Sequence, residues 1–146
     1  APVSYPARHT KILQALKAVS TQSIDDRKQA DAIMQPYIEE LGVRQFLLKS
    51  LAKNEEGHFA WRFNLNVLDE KYSTITSNVN ENNSCSCDTL FIKGNDSDYI
   101  LPEHRTAIKA RFKNTKAKII HGAGHWLHAQ KPLAVNKAIT DFLTAV

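Results

Sequence analysis

The sequence predicts an α/β fold in which a helical region over residues 1–80 precedes a strand–helix–strand–helix unit over residues 81–146. Two observations lead to this prediction. In the first region, apolar residues recur mainly at spacings of three and four, which is typical of helices. In the second region, two short apolar runs each end at a glycine and are followed by a helical pattern. Strands and helices alternating at this spacing form a right-handed βαβ unit with parallel strands.

The first region is expected to be wholly helical. Its helical patterns run over residues 9–19, 23–34 and 67–75, and a further pattern runs from residue 43 through 51 and ends near residues 54–57. Ser23 and Asp26 resemble a capping box that opens the second helix, and Pro36 is expected to end or kink it. The stretch 59–65 alternates aromatic and polar residues, so it fits either a short strand or an exposed loop.

The second region is expected to follow a polar surface loop over residues 77–86. Its two strands are expected at 89–93 and 117–121, and its helices at 103–112 and from Pro132 onward. Both strands are apolar on both faces, as strands inside a sheet are. Because no other segment is a convincing strand, we expect the open edge of the 89–93 strand to pair with another chain.

Composition excludes several classes of protein. A chain of 146 residues with 42% hydrophobic and 23% charged residues is one globular domain or a large part of one. It contains neither an apolar stretch long enough to cross a bilayer nor a signal-peptide pattern, so no membrane partner and a cytoplasmic location are expected. Since it does not begin with Met, we expect the chain to have been shortened.

Charge and cysteine content exclude two further kinds of protein, nucleic-acid binders and proteins held together by a disulfide or a structural zinc ion. The net charge is +4, but basic residues are interleaved with acidic ones, and the densest basic stretch, 109–118, fits a solvated surface. A nucleic-acid partner, which only the net charge would favour, is therefore not expected. Cys85 and Cys87 are expected to be free thiols, because a bridge between residues this close is strained and two thiols are too few for structural zinc.

The stretch Gly122-Ala123-Gly124-His125-Trp126-Leu127-His128-Ala129-Gln130-Lys131-Pro132 carries the clearest chemical signal. A glycine-bounded turn after a buried strand places the next side chain at the carboxyl end of the sheet, where open α/β folds bind ligands. Histidine can act there as a general base, because imidazole titrates near neutral pH. The alternative is a structural histidine in a tight turn. His121, His125 and His128 need not converge, so no metal site is expected.

The pattern Gly-x-Gly-His-Trp-x-His-x-x-x-Pro resembles the loop that carries the catalytic histidine in the α/β-hydrolase family. Residues 90–100 resemble the preceding strand and acid-bearing turn of that family. Residues 44–49 and 61–65 resemble the helical lid of its bacterial esterase and thioesterase branch. The resemblance covers essentially the whole chain, but only the C-terminal half of the family's fold.

The resemblance implies a serine hydrolase that cleaves carboxylic ester or thioester bonds without a cofactor, with His125 as its catalytic histidine. The sequence contains no Gly-x-Ser-x-Gly nucleophile motif. We therefore expect the chain to be inactive alone and to have the missing N-terminal half, or a second copy of itself, as its partner. The alternative is a non-catalytic binding or scaffold module with a vestigial histidine loop.

The pattern leaves two alternatives for the acid of the triad. Ser97 stands where most of the family has the triad aspartate, flanked by Asp96 and Asp98. Either one of these carboxylates orients the histidine, or the acid precedes Ala1 and Ser97 is an accessory hydrogen-bonding partner of the histidine.

Four residues are candidates for substrate binding: Arg62, Trp61, Phe63 and Trp126. A guanidinium such as that of Arg62 can grip a carboxylate or phosphate. Trp61 and Phe63 fit a lid wall that contacts an acyl chain, but they fit the packing of the lid's own core equally well.

Overall fold

A computed structural model describes residues 1–78 and 83–145, which form two compact units. One unit is Tyr5–Ser77, and the other combines Ala1–Ser4 with the described residues from Asn78 onward. The surface loop predicted over 77–86 falls partly on residues 79–82, outside the described residues. The predicted role of the first region as a lid stays a prediction.

The first unit contains five helices and a β-hairpin. They are α1 Thr10–Ser20, α2 Arg27–Met34, α3 Leu41–Leu48, β1 Leu51–Lys53, β2 Phe59–Trp61, α4 Leu65–Glu70 and α5 Tyr72–Thr76. The helical prediction for 67–75 is confirmed, although two short helices share that stretch. Asp26, rather than Ser23, caps α2: its carboxylate accepts the Gln29 N–H at 2.8 Å. The expected start at Ser23 is therefore wrong.

The hairpin corrects the expectation of a wholly helical first region. The helix predicted to end near residues 54–57 ends at Leu48, and Leu51 pairs with Trp61 in an antiparallel ladder. The Asn54 side chain accepts backbone N–H groups in the connecting turn, where Gly57 has a φ of +83°. Leu51 is 1% exposed, so burial against the hairpin partner outweighs its helical spacing from the residues before it.

A single hydrophobic core holds the first unit together. Its most deeply buried members are Ala15, Leu16, Val19, Ala30, Met34, Leu48 and Leu51. Arg44 is also buried, and its guanidinium contacts the Asp31 carboxylate at 2.9 Å and two backbone carbonyls at 2.8 Å each. These partners offset the cost of burying a charge.

The second unit confirms the predicted βαβα order. Its elements are β3 Thr89–Gly94, a 3₁₀ turn Pro102–His104, α6 Arg105–Arg111, β4 Thr115–Ile120, α7 Leu127–Gln130 and α8 Pro132–Leu143. The two strands are parallel, from Thr89 opposite Thr115 to Gly94 opposite Ile120. Ile120, Ala123 and Val135 form the buried cluster between β4 and α8.

Within the described residues, β3 and β4 are the two strands of this sheet, and neither is buried like an interior strand. Ile119 is 47% exposed although its neighbour Ile120 is buried. Pairing of the open β3 edge with another chain stays a prediction. None of the helices in residues 1–78 and 83–145 has the length and apolar character needed to cross a membrane.

Candidate active site

The candidate site lies in the second unit, where β3 and β4 end side by side. Because the strands are parallel and in register, the turns that follow Gly94 and Ile120 leave the same edge of the sheet. The Asn95 N–H donates to the Ile120 carbonyl at 2.9 Å, and the Asp96 N–H donates to the Ala123 carbonyl at 3.0 Å. Backbone hydrogen bonds therefore join the two turns.

Two glycines allow this close approach. A Cβ atom on Gly94 would lie 2.2 Å from the carbonyl oxygens of both Ala123 and Gly124, which no side chain tolerates without a shift of the backbone. Gly122 has a φ of +64°, a left-handed conformation that favours glycine. The turn carrying His125 can thus fold back against the end of β3.

The His125 ring is exposed and stacks on Tyr99, with ring centroids 4.1 Å apart and an interplanar angle of 23°. The Tyr99 N–H donates to the Ser97 Oγ at 3.4 Å, and the Ser97 N–H donates to the Gly94 carbonyl at 3.2 Å. Face-to-face stacking covers the plane of the imidazole and leaves its edge, where both nitrogens lie, open to a reactant.

Sequence reasoning missed Tyr99. Tyr99 lies two residues after Ser97, within the stretch already assigned to the acid-bearing turn. An aromatic residue so close to the end of a strand was the feature of the sequence that could have identified it. Its contact with His125 depends on the pairing of two strands that are distant in sequence.

The far side of the histidine turn is held by α7. The Gly124 N–H donates to Oε1 of Gln130 at 2.8 Å, and the Trp126 carbonyl accepts the N–H groups of Ala129 and Gln130. The Trp126 ring, predicted to contact substrate, stacks on His128 with centroids 6.0 Å apart. The turn is therefore held both by β3 and by α7, and Trp126 is half-buried beside it.

The candidate acids are near in sequence, but the structure does not choose among them. Ser97 is buried and its hydroxyl supports Tyr99, whereas Asp96 and Asp98 are exposed. The Asp96 carboxylate accepts the Asn95 side-chain amide at 3.2 Å. In residues 1–78 and 83–145, the His125 ring has no hydrogen bond to Asp96, Ser97 or Asp98. The identity of the triad acid stays a prediction.

The other candidate substrate contacts lie in the first unit. Trp61 and Phe63 stack with centroids 5.6 Å apart, pack against the core and line a cleft of about 260 Å³. The Trp61 Nε1 donates to the Leu16 carbonyl at 3.0 Å, so this side chain takes part in the unit's own packing. Arg62 is exposed. Roles in substrate binding for these three residues stay predictions.

The thiol prediction is confirmed, since Cys85 and Cys87 are free cysteines. Across the part of the chain that the structure describes, no three His, Cys, Asp or Glu side chains form a group able to hold a metal ion.

The chain is similar in sequence to several proteins that are named as esterases or lipases. The chain is 42% identical over 144 residues to esterase YbfF of Escherichia coli, a match that covers 98% of this chain and 54% of that protein. It is 36% identical over 117 residues to the mouse sn-1-specific diacylglycerol lipase ABHD11, covering 80% of this chain and 38% of the relative. The chain spans about half the length of the curated relatives it matches. No family model matches it.

Solved structures agree with these relatives. A marine microorganism esterase superimposes with a TM-score of 0.91 at 32% identity, covering 97% of this chain and 57% of that one. An E-2-(acetamidomethylene)succinate hydrolase superimposes with a TM-score of 0.57 at 15% identity, so it shares the fold alone.

Proposed function

The chain belongs to the α/β-hydrolase family, and from that premise we propose that it supplies the catalytic histidine, His125, of a serine esterase. The observation that carries this proposal is the position of His125. Its exposed ring stands at the carboxyl end of β4, on a turn locked against the end of β3 and stacked on Tyr99. Ligands bind at this edge in open α/β sheets.

The proposed chemistry is acyl transfer with His125 as general base and then general acid. The imidazole takes the proton of a serine hydroxyl as the oxygen attacks the ester carbonyl, and it returns that proton to the leaving alcohol or thiol. Tyr99 limits the ring to one plane, which reduces the orientational freedom lost in the transition state.

The nucleophile in this proposal comes from polypeptide outside the 146 residues, because they contain no Gly-x-Ser-x-Gly motif. The matched length of the relatives supports this, since roughly half of each lies outside the match. We expect the 146 residues alone not to turn over p-nitrophenyl butyrate. The N-terminal half of the hydrolase is the proposed partner.

The proposed substrates are carboxylic esters and thioesters as a class, rather than one compound. The names of the relatives support carboxylic esters, and thioesters fit the same chemistry. Arg62 is the proposed contact for an anionic group, with Trp61, Phe63 and Trp126 as apolar contacts. The free thiols support a reducing compartment, and the cytoplasm is the proposed location.

A chimera tests the proposal. The segment of the Escherichia coli esterase that precedes the matched region is joined to this chain, and hydrolysis of p-nitrophenyl butyrate is measured. Replacing His125→Ala in the chimera should lower kcat by about 10⁴-fold or more, as for other triad histidines.

His128→Ala in the same chimera is the matched control, since it removes a second exposed histidine from the same loop. Its kcat should stay within about threefold of the parent chimera. An active chimera that keeps its rate after His125→Ala would refute the assignment and favour a vestigial loop. Asp96→Asn and Asp98→Asn then decide whether a local carboxylate serves as the triad acid.

A further inference from the structure

A cavity lies between α6 and one face of the β3–β4 sheet. Phe91 of β3, Ala117 of β4 and Ile108 of α6 are among its lining residues, and its volume is about 400 Å³. Small-molecule sites have volumes of about 300 to 1,000 Å³, so the cavity is large enough for a ligand. Ala117 lines the cavity and is exposed, so a ligand can enter from solvent.

The cavity is elongated along the strands. Thr115 and Lys93 both line it, and Lys93 lies four residues beyond Thr89, the residue opposite Thr115. At about 3.3 Å per residue the cavity therefore extends about 13 Å along the sheet. Phe91 and Ala117 pair with each other between these two ends and make its middle apolar. This shape fits an unbranched apolar chain.

The charged residues that line the cavity are cations. They are Lys93, Arg105, Lys109 and Lys116, and none of the lining residues that the structure describes is Asp or Glu. The Lys116 ammonium lies 5.9 Å from the ring centroid of Phe142, so its charge faces α8 instead. Arg105 and Lys109 are four residues apart on α6, which places them on the same face of that helix. A cleft lined by charges of one sign concentrates ligands of the opposite sign, so the cavity favours an anion.

Lys93 is a half-buried cation without an anionic partner. Its ammonium donates one hydrogen bond, to the Ile100 carbonyl at 2.6 Å, and it forms no ion pair within residues 1–78 and 83–145. An ammonium group has three N–H donors, so two remain for a ligand. A charge that is partly withdrawn from water is stabilised when it is paired. Lys93 therefore marks the end of the cavity at which an anionic group would bind.

We propose that this cavity binds the anion of a fatty acid of medium chain length. The carboxylate accepts charge-assisted hydrogen bonds from Lys93 and Arg105. The alkyl chain lies along Phe91, Ile108 and Ala117, where removal of its methylene groups from water supplies the rest of the affinity.

The proposed site does not use the catalytic histidine. Neither His125 nor Tyr99 is among the described residues that line the cavity. Ester hydrolysis releases carboxylates of this class, but binding in the cavity requires no turnover. The proposal can therefore fail while the esterase assignment stands, and the reverse.

Titration of the 146-residue chain with decanoate, followed by calorimetry, tests this proposal. We expect one decanoate per chain, bound more tightly than decanol, which lacks the charge, and than acetate, which lacks the chain. Backbone amide resonances followed by NMR in the same titration should shift at Phe91, Ile100, Ile108 and Ala117.

Two variants test the two ends of the ligand separately. Lys93→Met removes the charge and keeps an unbranched side chain, so decanoate affinity should fall about 10- to 100-fold, as for the loss of a hydrogen bond to a charged group. Ala117→Phe fills the apolar middle from an exposed position and should weaken decanoate and decanol alike by at least about tenfold. Lys118→Met is the matched control, since it removes a lysine of the same sheet that does not line the cavity. Its affinity should stay within about twofold of the parent chain, as for an exposed charge.

Four results would overturn the proposal. They are no binding of decanoate, equal affinity for decanoate and decanol, unchanged decanoate affinity in Lys93→Met or Ala117→Phe, and amide shifts confined to the first unit.

Discussion

Replacing Gly94→Ala should destabilise the second unit by displacing the turn that carries His125. The added methyl group would lie 2.2 Å from two backbone carbonyl oxygens, those of Ala123 and Gly124. Cβ atoms essentially never approach another heavy atom closer than 3.0 Å, so each contact must lengthen by at least 0.8 Å. Backbone on both sides has to move, because neither oxygen can rotate away.

The expected cost is about 3 kcal/mol, the upper end of the range for an extra methyl group in a packed site. The displaced backbone also accepts the Asp96 N–H at 3.0 Å, so the bond between the two turns should weaken. Tyr99 and His125 leave these same turns, and their stacking at 4.1 Å should be lost in part. Weaker stacking would appear as a smaller ring-current shift of the His125 proton resonances.

Urea unfolding measures the stability, with Trp126 as the reporter of the second unit. The chain has two tryptophans, so a Trp61→Phe background leaves the fluorescence of Trp126 alone. Gly124→Ala is the matched control: it adds the same methyl group within the turn that Gly94→Ala would displace, at a position where the nearest atom is 3.9 Å away. It should cost less than about 1 kcal/mol. Equal free energies of unfolding for Gly94→Ala and Gly124→Ala would refute the reasoning.

Two further predictions concern charge and ionisation. Arg44→Ala should cost the first unit about 3 kcal/mol in urea unfolding, because it removes the buried partner that contacts Asp31 at 2.9 Å. Lys17→Ala, which breaks an exposed ion pair, should cost less than about 1 kcal/mol, and similar losses for both would contradict this account. Cys85→Ser should speed the alkylation of Cys87 by iodoacetamide at pH 8, because the Cys85 thiol raises the pKa of Cys87 and so lowers its thiolate fraction. An unchanged or slower rate, followed by mass spectrometry, would contradict the interaction between the thiols.

The elements that were predicted correctly are those specified by local signals. The runs at β3 and β4 each end at a glycine, and α8 begins at Pro132, so boundary and type follow from adjacent residues. The helix expected to continue past Leu51 to about residues 54–57 was wrong because Leu51 pairs with Trp61, ten residues away. The spacing of apolar residues along one segment cannot show a contact between residues ten positions apart.

In the candidate site, too, the sequence identified the feature that depends on adjacent residues but not the contact between distant segments. His125 could be identified because Gly-x-Gly-His-Trp is a continuous motif at the end of a strand. The contact with Tyr99 could not, since it forms across 26 positions of sequence and depends on the register of β3 against β4.

The sequence by itself determined the class of the fold, the alternation of strands and helices in the second region, and the histidine that a glycine turn presents. These features depend on backbone conformations and apolar periods that neighbouring residues impose. Tertiary structure alone decided that the β3 turn and the β4 turn are hydrogen-bonded together, that Gly94 must lack a side chain, and that Tyr99 covers His125. Each of these is a contact between distant segments, and its distance is set by how the strands pair rather than by either segment alone.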